Sequence, residues 1–463
     1  MLLSREEWQC LNSLADADHL FSSFLSTFLH HFNTAFPLKS HFPRKFQANP
    51  WITQEICLEA KHLRSLHRQI KVSNNSHDCK QQYLNLKKSH AKNIRQAKLQ
   101  FNDHVITSSN NIPKATWSMI KSQTTAPVSK VNLSIVVNEQ PISDPSSLAN
   151  HFNNFFINSS ISQSASTSLN SSNTPVNNNI CHAVNYSIFL YPTTKNEVIQ
   201  VAKKLGSKHS CGLDEVPGSL LAKCVHLIAA PLEFLINESF SSGIFPSELK
   251  KARVIPIYKH KGKKSDMNNY RPISVLSSFS KIFEYIMHER LISFLNYHSL
   301  LSPSQHGFLK NKSTTTAIFS FLSPLYSALD KGDHAVGLFY DLSKAFDTID
   351  HNILLSKLDR YGIRGVANKW MASYLSDRTQ AVEIQASVKH STKKFLSESK
   401  AIVSGVPQGS ILGPLAFIVY VNDLPDCFDN GTLTQYADDS SHRLIIPKEN
   451  ACALPAIVNK QAS

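Results

Sequence analysis

The chain of 463 residues is 42% hydrophobic, enough to bury more than one core, which excludes a protein that is disordered as a whole. Its net charge of +14 favours a polyanionic partner, although a merely soluble basic surface is the simpler alternative. The longest apolar run, residues 411–421, is far shorter than the ~20 residues of a membrane span, and the eight cysteines show no zinc-like spacing. We therefore expect a soluble intracellular protein, nuclear or cytoplasmic, without a membrane or disulfide-linked partner.

A basic helix is the first predicted element, over residues 61–100, where ten lysines and arginines stand against one acid. Tyr83, Ile94 and Phe101 lie close to one helical face, so the second half of this helix can dock while its lysines face outward. The segment is either an ordinary solvated face or an RNA-binding arm. A short helix at residues 149–156 precedes a Ser/Asn-rich linker, residues 158–180, whose composition cannot bury enough apolar area to fold.

Denser globular sequence follows the linker. Helical apolar spacing predicts helices at residues 194–205, 219–239, 278–295, 352–358 and 367–375. Apolar, β-branched runs predict strands at residues 252–258, 334–340, 381–388 and 432–435. Helices mixed with short, partly hairpin-linked strands indicate an α+β fold.

Carboxylates stand where two of these strands end. Asp438 and Asp439 are adjacent in a predicted hairpin turn, where they repel each other unless a cation lies between them. Asp341 ends an apolar strand, and together the three could hold Mg²⁺ through hard oxygen ligands. The alternatives are an ordinary solvated turn at Asp438 and a helix N-cap at Asp341.

Several ordered motifs resemble those of non-LTR (LINE-type) retrotransposon reverse transcriptases. Motif A corresponds to Phe339–His351, motif B to Ser404–Pro414 and motif C to Tyr436–Asp439. The segments similar to the fingers and the region around them are Asn268–Ser274, Ser280–Glu284, Gln305–Phe308 and Ser313-Thr314, preceded less sharply by Gly212–Asp214 and Gly243–Pro246.

The resemblance implies a right-hand polymerase fold with fingers and a partial palm, preceded by a basic helical N-terminal region. We expect the basic region at residues 1–157, the linker at 158–180, the fingers and the segment before them at 185–330, and a partial palm at 331–463. The implied activity is RNA-directed DNA polymerisation, with Mg²⁺ or Mn²⁺ as cofactor. RNA template, DNA primer and dNTPs are the implied partners.

Residue roles follow from the same resemblance. Asp341, Asp438 and Asp439 correspond to the catalytic, metal-binding triad. Phe346 corresponds to a steric gate against the ribose 2′-hydroxyl, with a core phenylalanine as the alternative. Four further positions correspond to substrate-binding groups: Gln408 and Gly409 near the nucleotide and template, Arg271 as a triphosphate clamp, and Lys259 as one of several lysines that could share that duty.

The family pattern fails after Asp439, where Ser440–Arg443 replaces the usual small and apolar residues. The later palm motifs, the thumb and an upstream endonuclease are also not recognisable, so we expect an element fragment or an incomplete gene model. A catalytically inactive, RNA-binding remnant is the main alternative. A metal-dependent phosphatase using Asp341 and Lys344 would leave motif B and the fingers motif unexplained.

Overall fold

The structure is a computed structural model that describes residues 3–11, 16–37, 49–72, 77–109, 111–124, 133–137, 139–169, 183–207, 209–342, 344–388, 391–428 and 430–453. Its α-helices, numbered in chain order, are α1 (Ala17–Ala35), α2 (Gln54–Val72), α3 (His77–Thr107), α4 (Ile112–Thr124), α5 (Pro145–Leu169), α6 (Lys195–Lys204), α7 (Gly218–Ser242), α8 (Ser278–Tyr297), α9 (Thr314–Asp330), α10 (His351–Arg360), α11 (Val366–Leu375) and α12 (Leu412–Tyr420). Its strands are β1 (Ile135–Val137), β2 (Gln140–Ile142), β3 (Lys251–Tyr258), β4 (Tyr270–Val275), β5 (His334–Asp341), β6 (Arg378–Val388), β7 (Ser391–Leu396), β8 (Lys400–Ile402), β9 (Thr432–Tyr436) and β10 (Asp439–Ile446). This mixture confirms the α+β class.

The contacts divide the chain into two units. The smaller unit contains residues 39–132 and 387–391, and the larger unit contains residues 1–38, 133–386 and 392–463. Residues 17–35 and 145–157 thus group with the larger unit, whereas we had expected them to belong with the basic helices.

Helices α2, α3 and α4 make up the described part of the smaller unit. The predicted basic helix is confirmed as helical, but as α2 and α3, with residues 73–76 outside the described part of the chain. The Glu59 carboxylate joins the two helices through His90, 2.8 Å away, and Asn93, 2.6 Å away. The lysines and arginines of residues 61–100 are exposed, while Tyr83, Ile94 and Phe101 are half-buried, as the spacing predicted.

Helices α1, α7, α8, α11 and α12 bury the main core of the larger unit. The Phe279 ring of α8 lies edge-on to Phe24 and Phe28 of α1, at centroid distances of 5.8 and 5.2 Å. Of the helices that the structure describes, α7 alone is long enough and apolar enough to cross a membrane, judged only by its length and composition. Many of its apolar side chains, such as Ile228, are buried in this core.

A five-stranded sheet has the order β4-β3-β6-β7, with β8 also paired to β6. Strands β3 and β6 run parallel, with Lys251 opposite Thr379, whereas β3–β4 and β6–β8 are antiparallel. Helix α5 covers this sheet through Phe152, whose ring lies 5.1 Å from that of Tyr270. Because α5 continues to Leu169, the linker predicted from residue 158 is wrong for residues 158–169; residues 170–182 lie outside the described chain.

A three-stranded antiparallel sheet has the order β5-β10-β9, so its last strand in sequence is its middle strand. Helix α9 lies against it, because the Arg443 Nη1 atom of β10 donates hydrogen bonds to the carbonyls of Ser320 and Phe321, at 2.7 and 2.9 Å. The polar residues Ser440–Arg443, where the family pattern fails, continue β10 without a break. Asp341 and Asp439 are positioned by this sheet.

Candidate active site

The three predicted catalytic carboxylates lie at one end of the three-stranded sheet. Asp341, the last residue of β5, is directly opposite Asp439, the first residue of β10. Directly opposite residues of an antiparallel pair project from the same face, so both exposed carboxylates project from one face of the sheet. Asp438 precedes Asp439 in the turn between β9 and β10.

The N-cap alternative for Asp341 is wrong. Residues 344–347 after β5 form a turn rather than a helix, and Lys344 has a positive φ of 54°. The next described helix, α10, is capped by Asp350, whose carboxylate accepts hydrogen bonds from the backbone N–H groups of Asn352 and Ile353. Asp341 therefore ends a strand, as a metal-binding aspartate at a sheet end would.

The turn that carries Asp438 contains only two residues between its strands, Ala437 and Asp438. Ala437 has φ +58°, a conformation that costs a non-glycine residue about 1 kcal/mol. The Gln305 Oε1 atom accepts a hydrogen bond of 3.0 Å from the N–H of Ala437. Gly307 lies so close that a Cβ there would be 2.3 Å from the Ala437 nitrogen. The Gln305–Phe308 segment therefore supports the turn, a role that its motif resemblance did not reveal.

The chemistry of the donors fits a divalent cation. Carboxylate oxygens are the hard ligands that Mg²⁺ and Mn²⁺ prefer. Among the residues that the structure describes, no group of three or more His, Cys, Asp or Glu side chains is gathered tightly enough to hold a metal ion. The strand register brings Asp341 and Asp439 together beside the Asp438 turn, and holding an ion there would require their side chains to change rotamer.

Phe346 lies in the turn after β5, five residues beyond Asp341. Its half-buried ring stacks on Phe417 of the main core at 5.0 Å and meets Phe308 edge-on at 6.1 Å. Its carbonyl accepts a hydrogen bond of 2.9 Å from the N–H of Val406 in the predicted motif B loop. Phe346 thus packs between the main core and Phe308 and is partly exposed.

The motif B loop is tied to β4 through its main chain. The Gln408 carbonyl accepts a hydrogen bond of 2.8 Å from the N–H of Ser274. Gly409 has φ +126°, and a Cβ there would lie 2.5 Å from the Ser274 oxygen, so only glycine fits. Gln408 and Gly409 are therefore held between β4 and the turn after Asp341.

The Gln408 side chain has a partner that sequence reasoning missed. Its Nε2 atom donates a hydrogen bond of 2.9 Å to Oδ1 of Asp347. Burial raises the pKa of the Asp347 carboxyl, while this hydrogen bond and the charges of Lys344 and Lys259 act in the opposite direction. The signal in the sequence was Asp347 itself, an acidic residue within the motif A run.

Arg271 and Lys259 differ in what they contact. Arg271 is exposed on β4, and no hydrogen bond joins its guanidinium to the described part of the chain. The Lys259 Nζ atom donates a hydrogen bond of 2.8 Å to the Asn268 carbonyl across the β3–β4 loop. Arg271 is thus available to an anionic ligand, whereas Lys259 closes its own loop.

Glu284 supports the helix that follows motif B. This carboxylate is fully buried and accepts hydrogen bonds from the N–H of Ile411 at 2.7 Å and from Ser280 Oγ at 2.8 Å. It also accepts longer ones from the Leu412 N–H and the Tyr374 hydroxyl, each 3.3 Å away. The Ser280–Glu284 motif therefore caps the start of α12 and fixes the exit of the motif B loop.

Comparison with known proteins shows which sequences this chain is similar to. Residues 259–456 match the family described as reverse transcriptase (RNA-dependent DNA polymerase). The chain is 29% identical over 280 residues to the probable RNA-directed DNA polymerase from transposon BS of Drosophila melanogaster, covering 58% of this chain and 29% of that protein. It is 28% identical over 262 residues to the RNA-directed DNA polymerase from mobile element jockey of the same organism, covering 55% of this chain and 28% of that protein.

A more distant similarity extends to other retrotransposable elements. The Pol polyprotein from the type-1 element R2 of Popillia japonica is 26% identical over 157 residues, 34% of this chain and 20% of that protein. The chain thus spans less than a third of the length of these three curated relatives. Residues 259–456, which include the carboxylate pair of β5 and β10, are thus similar to the reverse transcriptases of retrotransposable elements.

Proposed function

We propose that this chain is an RNA-directed DNA polymerase that adds dNTPs to a primer 3′-hydroxyl on an RNA template. The register that sets Asp341 opposite Asp439, with Asp438 in the adjoining turn, carries this proposal. The family match and the names of the relatives support it.

In this proposal, residues 331–463 are a partial palm, built on the sheet of β5, β9 and β10. Residues 185–330 are the fingers and the segment before them, with the β3–β4 hairpin reaching over the palm. The hydrogen bond between Ser274 and Gln408 supports this assignment, because it joins the hairpin to the motif B loop. Arg271 would then hold the triphosphate with its planar guanidinium, and Lys259 would order the hairpin loop unless substrate displaces it.

Asp341 and Asp438 would hold Mg²⁺, with Asp439 as the third carboxylate of the site. When bound, the metal ions supply activation of the primer hydroxyl and charge stabilisation at the leaving pyrophosphate. Phe346 would place its exposed edge under the sugar and exclude a ribose 2′-hydroxyl. Its stacking on Phe417 would keep the ring from moving aside.

RNA would be bound partly through the exposed cations of α2 and α3. The two helices present ten lysines and arginines to solvent within residues 61–100. Such cations bind phosphates without sequence preference, through counterion release. A DNA primer and dNTPs complete the proposed set of partners.

Primer extension on an RNA template tests the activity directly. We expect extension by the wild-type chain in Mg²⁺ or Mn²⁺, at a level that RNA affinity limits, and none by Asp438→Ala. The matched control is Asp330→Ala, which removes an exposed carboxylate at the end of α9 and should extend as the wild type does.

Metal binding provides a second readout that does not require turnover. Titration calorimetry with Mn²⁺ should show binding to the wild type and to Asp330→Ala but weaker binding to Asp438→Ala. Robust extension by Asp438→Ala would contradict the assignment of Asp438 as a metal ligand. RNA binding by a wild-type chain that never extends a primer would identify an inactive remnant instead.

A further inference from the structure

The contact between Asp347 and Gln408 lies at the centre of the proposed nucleotide site yet has no role in the mechanism above. We propose that Asp347 is a positioning residue for nucleotide binding, which fixes the Gln408 side-chain amide so that its carbonyl oxygen faces the incoming nucleotide as a hydrogen-bond acceptor. This inference rests on the proposed function, since it requires a nucleotide beside Gln408. It adds a residue that determines how the substrate is contacted.

Hydrogen-bond chemistry fixes the orientation of the amide. An ionised carboxylate only accepts hydrogen bonds, whereas a glutamine amide has a donor end and an acceptor end. The contact of 2.9 Å to Asp347 therefore has to use the Gln408 Nε2 end. The Oε1 end is turned the other way, and in the described part of the chain no donor reaches it.

The backbones of Asp347 and Gln408 are both held in place, so only the side chain of Gln408 is free to change its orientation. The Gln408 carbonyl is held by Ser274, and Val406 is held by the carbonyl of Phe346. The backbone of Asp347 packs closely against Gly405. A Cβ on Gly405 would lie 2.7 Å from both the Cα and the carbonyl oxygen of Asp347. With both backbones fixed, the Asp347 carboxylate decides which end of the amide is presented.

The charges around Asp347 favour its acceptor form. Lys344 lies on its own turn and Lys259 on the β3–β4 hairpin, and both oppose the effect of burial, which raises the pKa of this carboxyl. Arg378 of β6 lines the same cavity of about 50 Å³ as Asp347 and Gln408. Two lysines thus favour the ionised, acceptor form of this half-buried carboxyl, while burial acts against it.

A double-mutant cycle tests whether Asp347 acts through Gln408. The affinity for dTTP is measured by equilibrium dialysis with Mg²⁺ for the wild type, Asp347→Ala, Gln408→Ala and the double variant. Each single variant should bind roughly tenfold more weakly, as for loss of a hydrogen bond to a charged group. The double variant should be no weaker than Gln408→Ala alone, because Asp347 then has nothing to position.

Conservative variants separate positioning from general damage to the fold. Asp347→Glu should recover most of the affinity, since it keeps the acceptor and the adjoining cavity can take one more methylene. Asp347→Asn should bind with intermediate affinity, because it can present either end of its own amide. The matched control is Asp350→Asn, three residues away at an exposed helix cap, which should bind dTTP as the wild type does.

The outcomes distinguish this inference from the proposed function. Additive losses in the cycle, or unchanged affinity in Asp347→Ala, would overturn the positioning role. A wild-type chain that binds no dTTP would overturn it too, because no nucleotide would then face Gln408. The polymerase proposal is judged separately, by the extension assay with Asp438→Ala, in which Asp347 is left intact.

Discussion

Gln305 and Ala437, 132 residues apart in the chain, are joined by a hydrogen bond of 3.0 Å from the Ala437 N–H to the Gln305 side-chain oxygen. The same oxygen accepts a second bond of 2.7 Å from the N–H of Gly307. One buried acceptor therefore holds both the turn that carries Asp438 and the segment that packs against it.

Replacing Gln305 with methionine should loosen this turn. Methionine keeps the volume but removes the acceptor, and we expect a loss of about 1 kcal/mol in the free energy of unfolding. The loss is moderated because the Gln305 Nε2 atom, which also disappears, is buried without a partner among the described residues. Hydrogen exchange at the Ala437 amide should accelerate, whereas an unchanged rate would show that the turn does not depend on Gln305.

Glu284→Ala should destabilise the larger unit by about 2–4 kcal/mol, measured by urea unfolding. Its loss leaves the Ile411 N–H and the Ser280 hydroxyl without their buried acceptor. Glu284→Gln retains an acceptor oxygen and should cost less than half as much. Tyr374→Phe removes only the 3.3 Å contact and is the mild control. Equal costs for Glu284→Ala and Glu284→Gln would show that the charge, rather than the acceptor, is what matters.

Phe346→Ala should relax discrimination against ribonucleotides and leave dNTP use partly intact. Because the ring also stacks on Phe417, we expect a stability loss of about 1–3 kcal/mol. Competition between a dNTP and its ribonucleotide in primer extension measures the discrimination. Phe308→Ala removes the neighbouring exposed ring and serves as the control. If ribonucleotide rejection survives in Phe346→Ala, the residue is a core phenylalanine.

Reversing the charge of Lys87, Lys88, Lys92 and Arg95 together should weaken RNA binding and flatten its salt dependence. Each lost phosphate contact should lower the salt slope by about 0.7 to 0.9. A matched variant reverses four exposed lysines of the larger unit, Lys195, Lys203, Lys223 and Lys331, and so makes the same change in net charge. Equal slopes for the two variants would show that α3 is an ordinary solvated helix face.

His442 should make stability depend on pH. Burial lowers its pKa, so in mild acid the unfolded chain binds a proton that the folded chain does not. Stability is therefore complete above the ordinary histidine pKa of about 6.5 and falls as pH drops below it. Urea unfolding at pH 7.5 and 5.5 should show a smaller difference in His442→Leu than in the wild type.

The pH dependence of stability has to be compared between the wild type and His442→Leu, because burial also lowers the pKa values of His288 and His306. Their contributions are present in both proteins and cancel in the difference. An identical pH dependence in His442→Leu and the wild type would assign the whole effect to the other histidines.

The spacing of apolar residues along the sequence predicted the helices and strands in which that spacing is regular. The strand before Asp341 and the helix of α8 were located to within one or two residues. Helix α9 was missed, although Ser313 forms a capping box with Thr316, because Pro324 inside it is the residue expected to break a helix. Helix α12 was missed because an all-apolar run has no period that separates a buried helix from a strand.

Long-range relations were beyond such patterns. The roles of Asp347, Gln305 and Glu284 depend on partners 61, 132 and 127 residues away, and nothing local specifies those contacts. The parallel pairing of β3 with β6 is of the same kind. The motif resemblance correctly pointed to these segments but not to the contacts that their residues make. The length of α5 was underestimated for another reason. Its second half is rich in serine, and serine and asparagine both have low helix propensity.

The position of β10 has a consequence for the order in which the protein is made. β5 and β9 pair only with β10 in this sheet, so neither has its partner until the ribosome has released residues up to Ile446. During that interval β5 exposes unpaired strand edges. A nascent chain halted before β10 would thus be prone to aggregate and would lack the pairing of Asp341 with Asp439, whereas the core of α1, α7 and α8 could already be folded.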